Sequence, residues 1–191
     1  MITTQKTFFD FNQPPILGID ASLTNTGIAL INLNGKLIHS DTISPKSKGT
    51  YRLIYHESSL EKLIFDYSPQ IAVMEGYAYS PNAGMAFNIG ELGGIYKTQL
   101  WKNRIPLYIV APTTLKKFAT GSGKGDKNKI MLNVYREYGL EFKDDDQTDA
   151  FVLSQIGLKI LQYKHNSLPK NTANYKLEVI KTILKNESKI V

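Results

Sequence analysis

The chain has 191 residues, of which 42% are apolar or aromatic, enough for one domain with a real core and a small appendage. It has no cysteine, and its three histidines, His39, His56 and His165, lie far apart. A disulfide scaffold, a thiolate or histidine-rich metal site and a cysteine nucleophile are therefore excluded. A formal charge of +6 favours an anionic partner, nucleic acid or a membrane surface, and says nothing about fold.

Met1 to Pro15 mixes Lys6, Asp10 and Asn12 with Phe8, Phe9 and Phe11, which is not the pattern of a signal peptide. No apolar run approaches the roughly 18–20 residues that span a bilayer, so the chain reads as soluble and cytoplasmic. Ile16 to Asp20 is a short apolar run ending in an acid. Thr26 to Leu33 and Lys36 to Ser44 follow as strands around Asn34-Gly35, a two-residue hairpin signal, and predict a three-strand antiparallel meander. From Tyr51 to Tyr67 the apolar period changes to that of an amphipathic helix, with Leu53, Leu60, Ile64 and Tyr67 on one stripe. Gln70 to Glu75 reads as a buried strand, again closing on an acid.

Ala83 to Lys102 predicts a long helix despite Gly84, Gly90, Gly93 and Gly94. Each glycine costs about 1 kcal/mol relative to alanine, so another backbone is expected to approach there. Ile105 to Val110 is a fifth strand, and Pro112 opens a short helix. Gly121 to Gly125 reads as a mobile loop. Asp126 caps a helix to about Tyr138, and Asp146 starts another reaching about Tyr163. A polar link, Lys164 to Asn174, leads into a last amphipathic helix. The predicted fold is α/β: a mixed five-stranded sheet, meander plus parallel strands, flanked by helices.

Placement of acids carries the chemistry. Asp20 and Glu75 each end an apolar strand, and Asp146 and Asp149 share one face at the start of a helix. If that helix packs edge-on against the sheet, all four converge. Like charges about 4 Å apart repel by roughly 4 kcal/mol at an effective dielectric of 20, so such a cluster calls for cations. Oxygen ligands without histidine or cysteine select Mg²⁺ or Mn²⁺. Two such ions about 3.5–4 Å apart clamp a phosphodiester and generate hydroxide. Singly, each acid has a plainer reading as a turn former or a charge favoured by the helix dipole. Joint placement is what favours catalysis.

Gly18-Ile19-Asp20, Val73-Met74-Glu75 and Asp146-Gln147-Thr148-Asp149-Ala150 resemble the RuvC Holliday-junction resolvases of the ribonuclease H-like superfamily. Ala111 to Lys117, Gly121-Ser122-Gly123 and Asp126-Lys127 look like that family's basic segment. The resemblance covers residues 15–163 and implies a ribonuclease H-like nuclease domain there, with an extension at 1–14 and a basic helical one at 164–191. It implies a homodimeric, Mg²⁺-dependent endonuclease, with Mn²⁺ as a substitute metal, that makes paired nicks in four-way DNA junctions.

 Asp20, Glu75, Asp146 and Asp149 match its four catalytic, metal-holding acids; some relatives carry histidine at the last position. Lys116 or Lys117, and Lys127, match lysines that hold the scissile backbone, and the long helix after Glu75 matches the dimer-forming element.

This sequence also departs from the family pattern. Where relatives often carry an aromatic that opens the junction stands Ala78, flanked by Tyr77 and Tyr79. Either tyrosine is a candidate to stack on a base, or to belong to the core. Gly93 occupies the place of a common arginine. These departures and the Asn- and Lys-rich composition resemble a phage or viral resolvase, which would work in the host cytoplasm.

Charge supports a nucleic-acid partner independently. The segment from Lys97 to Lys129 carries a net +7, and the tail from Lys164 a net +4. Lys124 and Lys129 join the DNA-binding candidates, Lys124 on a loop that could close over the backbone. A nucleotide-binding P-loop is excluded, because Phe118 and Gly125 stand where it needs glycine and Ser or Thr. The alternatives are a less selective nuclease for flaps, three-way branches, forks or RNA–DNA hybrids, and a non-catalytic junction-binding protein. An actin-like ATP-binding fold would need a second domain for which the chain leaves little room.

Overall fold

β1 (Ile16–Asp20), β2 (Thr26–Ile31) and β3 (Leu37–Ile43) form the expected antiparallel meander, and β4 (Ile71–Glu75) and β5 (Leu107–Val110) extend it in parallel. The computed structural model describes residues 13–76 and 83–187. The strand order is β3-β2-β1-β4-β5, which places the apolar β1 at the centre. Alternation along the strands divides the core in two. Leu17, Ile19, Ile28, Leu30, Ala72 and Met74 face one way, into a cluster with Leu60, Leu92 and Tyr96 of two helices, α1 (Thr50–Tyr67) and α2 (Ala83–Lys102). Ile16, Ala29, Ile31 and Val73 face the other way.

That second face is covered by α3 (Pro112–Thr120), α4 (Lys127–Tyr138), α5 (Asp145–Lys164) and α6 (Asn174–Glu187). α5 lies across the face of the sheet, not edge-on as the sequence suggested. Every residue from Ala150 to Leu158 is buried, because strands lie beneath it and helices above it. Glycine makes the approach possible: a Cβ on Gly18 would sit 1.9 Å from the carbonyl oxygen of Ala150.

Two local expectations change. Asn34-Gly35 does not form a two-residue hairpin; Ile31 pairs with Leu37, and residues 32–36 make a longer loop. The Asn32 side-chain oxygen accepts from the amides of Asn34 (2.9 Å) and Lys36 (3.0 Å), while Gly35 takes a φ of +79°. Second, among the described residues nothing approaches Gly90 or Gly94 as expected, since a Cβ on either would meet nothing within 4 Å, whereas Gly93 is buried. The face of α2 that carries Gly90 and Gly94 is open among the described residues.

The C-terminal helix contributes to the core. Val179, Ile180 and Ile183 join the α5 cluster, and the buried Lys176 pairs with Glu137 with its ammonium 5.0 Å from the centre of the Phe118 ring. On the opposite side of the sheet, His56 is fully buried, its Nδ1 2.8 Å from the Tyr96 hydroxyl and its Nε2 3.2 Å from the Leu23 carbonyl. This ties the turn after Asp20 to α1 and α2. Among the described residues no helix is long and apolar enough to cross a membrane.

Candidate active site

β1 and β4 run parallel with Ile19 opposite Met74, so their last residues, Asp20 and Glu75, project from the same edge of adjacent strands. Neighbouring strands are about 4.8 Å apart, which keeps the two acids close. Across β1, Asp20 pairs with Gly27 of β2. A Cβ on Gly27 would lie 2.0 Å from the carbonyl oxygen of Asp146, so the first turn of α5 rests directly beside Asp20. Asp149 follows one helical turn later on the same face.

The electrostatics report the crowding. Burial, then the charges of Glu75, Asp149 and Asp146, push the Asp20 carboxyl up from 3.8 to about 8. Burial and Asp149 raise Glu75 to about 7, and burial with Asp145 and Asp146 raises Asp149 to about 6. Asp146 is raised by burial and by Asp145 and Asp144. Each carboxylate resists ionisation because low-dielectric surroundings and like charges disfavour it. Lys127 opposes the rise at all four acids, and Lys116 opposes it at Glu75 and Asp149.

Among the described residues no three acidic or histidine side chains already form a metal-holding group. The donor set nonetheless fits a hard divalent cation: four carboxylates, partly withdrawn from water, whose mutual repulsion a cation would relieve.

The lysines divide between the two places that the sequence reading left open. Lys116 faces the acids, whereas its neighbour Lys117 pairs with Glu178 of α6 at 2.8 Å and points away. Successive residues of a helix differ by about 100°, so only one of the pair can face the cluster. Lys127 reaches the acids while ion-paired to Asp145. Lys124 and Lys129 are exposed, on the loop before α4 and on its first turn. Tyr77, Ala78 and Tyr79 lie outside the described residues.

Sequence reasoning missed Asp145, Asp144 and Thr42. Asp144 caps α5, its Oδ1 accepting from the Gln147 amide at 2.8 Å. Its Oδ2 accepts from the Thr42 hydroxyl at 2.7 Å, across 102 residues. Nothing in the local spacing announces that contact. Clefts of about 270 Å³ beside α4 and about 290 Å³ between β3 and α1 include none of the four acids.

A five-stranded sheet in the order β3-β2-β1-β4-β5, with acids at the ends of β1 and β4 and at the start of the helix crossing them, defines a ribonuclease H-like protein. The family model for crossover junction endodeoxyribonuclease RuvC matches residues 16–155, and the chain belongs to that family. The RuvC of Rickettsia typhi is 30% identical over 155 residues, covering 78% of this chain and 99% of its own. The T. thermophilus RuvC in complex with a Holliday junction substrate superposes with a TM-score of 0.68 at 16% identity, over 81% of this chain and 97% of that one. The yeast mitochondrial Holliday junction resolvase Ydc2 gives 0.57 at 11%, over 92% and 84%. Both structures speak to fold alone.

Proposed function

We propose that this protein cuts four-way DNA junctions by metal-dependent phosphodiester hydrolysis, as a homodimer that places paired nicks. The observation that carries the reading is the meeting of Asp20, Glu75, Asp146 and Asp149 beside Lys116 and Lys127.

Asp20, Glu75, Asp146 and Asp149 would hold the divalent cations, Mg²⁺ by preference with Mn²⁺ as a substitute. Bound there, such ions would polarise the phosphodiester and activate water toward it. The protein's own share is positioning. Lys116 and Lys127 draw a phosphate toward the carboxylates, and the rigid strand ends hold Asp20 and Glu75 in place. Lys124 and Lys129 extend the positive surface along the flanking backbone. The dimer reading rests on the outward face of α2, where Phe87 is 74% and Trp101 80% exposed on either side of the open Gly90 and Gly94. Small residues let a second helix approach closely, and the large apolar ones beside them give it surface to bury.

Asp146→Asn separates the roles. It should abolish cleavage while junction binding, measured by gel shift in EDTA, stays close to wild type. Loss of binding in a folded variant would contradict the assignment of binding to the lysines.

A further inference from the structure

Three consecutive acids, Asp144-Asp145-Asp146, open α5, and only one of them faces Asp20. Which one does so depends on the rotation of the helix, since a step of one residue turns it by about 100°. The packing of Ala150 to Leu158 on the sheet constrains that phase along the body of the helix. At its first turn a cross-strand row meets it directly: Asp20 of β1 pairs with Gly27 of β2, and Gly27 pairs with Thr42 of β3. Paired residues project to the same side of a sheet, so the row presents an acid, a gap and a hydroxyl to α5. The gap admits the carbonyl of Asp146, and the hydroxyl takes Asp144.

We infer that Thr42 is a positioning residue, acting through Asp144 to fix the rotation of α5 so that Asp146 and Asp149, and not their neighbours, meet Asp20 and Glu75. The contact is specified at both ends. Thr42 Oγ1 donates to Asp144 Oδ2 at 2.7 Å and accepts from Gln147 Nε2 at 2.9 Å. Asp144 in turn accepts from the Gln147 amide at 2.8 Å, and its carbonyl accepts from the Thr148 hydroxyl at 3.0 Å. Both oxygens of the Asp144 carboxylate are thus committed, one to the helix cap and one to β3. Asp144 is a brace, and Thr42 the point on the sheet to which it is fastened. This role rests on the reading of the four acids as cation ligands and adds what orients two of them.

The test is Mn²⁺ binding to the full chain without DNA, by electron paramagnetic resonance of the free ion, for wild type, Thr42→Val and Thr42→Ser. Valine keeps the shape and removes the hydroxyl, while serine keeps the hydroxyl. Residues that orient metal ligands typically change affinity by about 10–100-fold, so Thr42→Val should weaken Mn²⁺ binding by about tenfold or more, with Thr42→Ser near wild type. Junction binding in EDTA, which does not depend on the acids' orientation, should be the same for all three. Undiminished Mn²⁺ binding by Thr42→Val overturns the proposal, and so does equal weakening in both variants, which would assign the effect to packing. A wild type that binds no Mn²⁺ overturns the underlying reading of the acids, and this role with it.

Discussion

At the scale of single residues, the acid cluster is destabilising until something neutralises it. Asp20, Glu75 and Asp149 hold protons in the folded chain at pH values where the unfolded chain has released them. Stability therefore falls as pH rises through their folded values. His56 acts in the opposite sense, its burial keeping it neutral in the fold, but only below its ordinary 6.5. The acids act without that opposition between about 6.5 and 8. The melting temperature of the protein in EDTA should drop across that window, and Mg²⁺ at pH 8 should restore it. Asp20→Asn removes the highest of these values, about 8, and should flatten the drop above about 7, the value of Glu75. Differential scanning fluorimetry reads all of this, and a rise in stability through the window in EDTA would contradict it. The placement of the four acids was legible in the sequence because each closes an apolar strand or opens an apolar helix. Thr42 was not, since a threonine in the half-polar β3 has nothing local to mark it. The choice between Lys116 and Lys117 was likewise invisible until α3 had an orientation.

Elements carry the site only because they can touch. Gly27 lets the start of α5 reach β2, so a methyl group there must displace the Asp146 backbone. Overpacking of this kind costs about 1–3 kcal/mol. Gly27→Ala should lower stability by that amount in urea unfolding and should also depress cleavage, because the displaced segment carries Asp146. An unchanged nuclease with an alanine at 27 would remove the close contact from the account. On α2 the test concerns assembly. Trp101→Glu places a charge on the open, apolar face and should convert a dimer to a monomer in analytical ultracentrifugation, leaving the fold intact. Element order and type were readable from periodicity and from caps such as Pro112 and Asp126. The length of the β2–β3 loop was not, because the Asn32 side chain organises it together with Gly35, whose amide donates to the Asn32 carbonyl. Nor was the difference between the open Gly90 and Gly94 and the buried Gly93, for a glycine in a helix reads the same whether or not anything lies against it.

For the molecule as a whole, charge and packing divide the labour. Basic residues from Lys97 to Lys129 and an acidic cluster at the strand ends describe a surface that attracts phosphates around a point that repels them until cations bind. The tail reads as basic in sequence, yet α6 turns Val179, Ile180 and Ile183 inward and buries Lys176 against Glu137. Composition reports charge and cannot report which face of a helix is covered. The central claim, a paired cut in a four-way junction made by these acids, is tested most directly with an end-labelled immobile four-way junction and a linear duplex of the same sequence. Wild type and Asp146→Asn are compared in Mg²⁺ and in EDTA on a denaturing gel. The account expects symmetric nicks in opposed strands, only in the junction, only with Mg²⁺ and only from wild type. Equal cutting of the linear duplex, or cutting by Asp146→Asn, would contradict it.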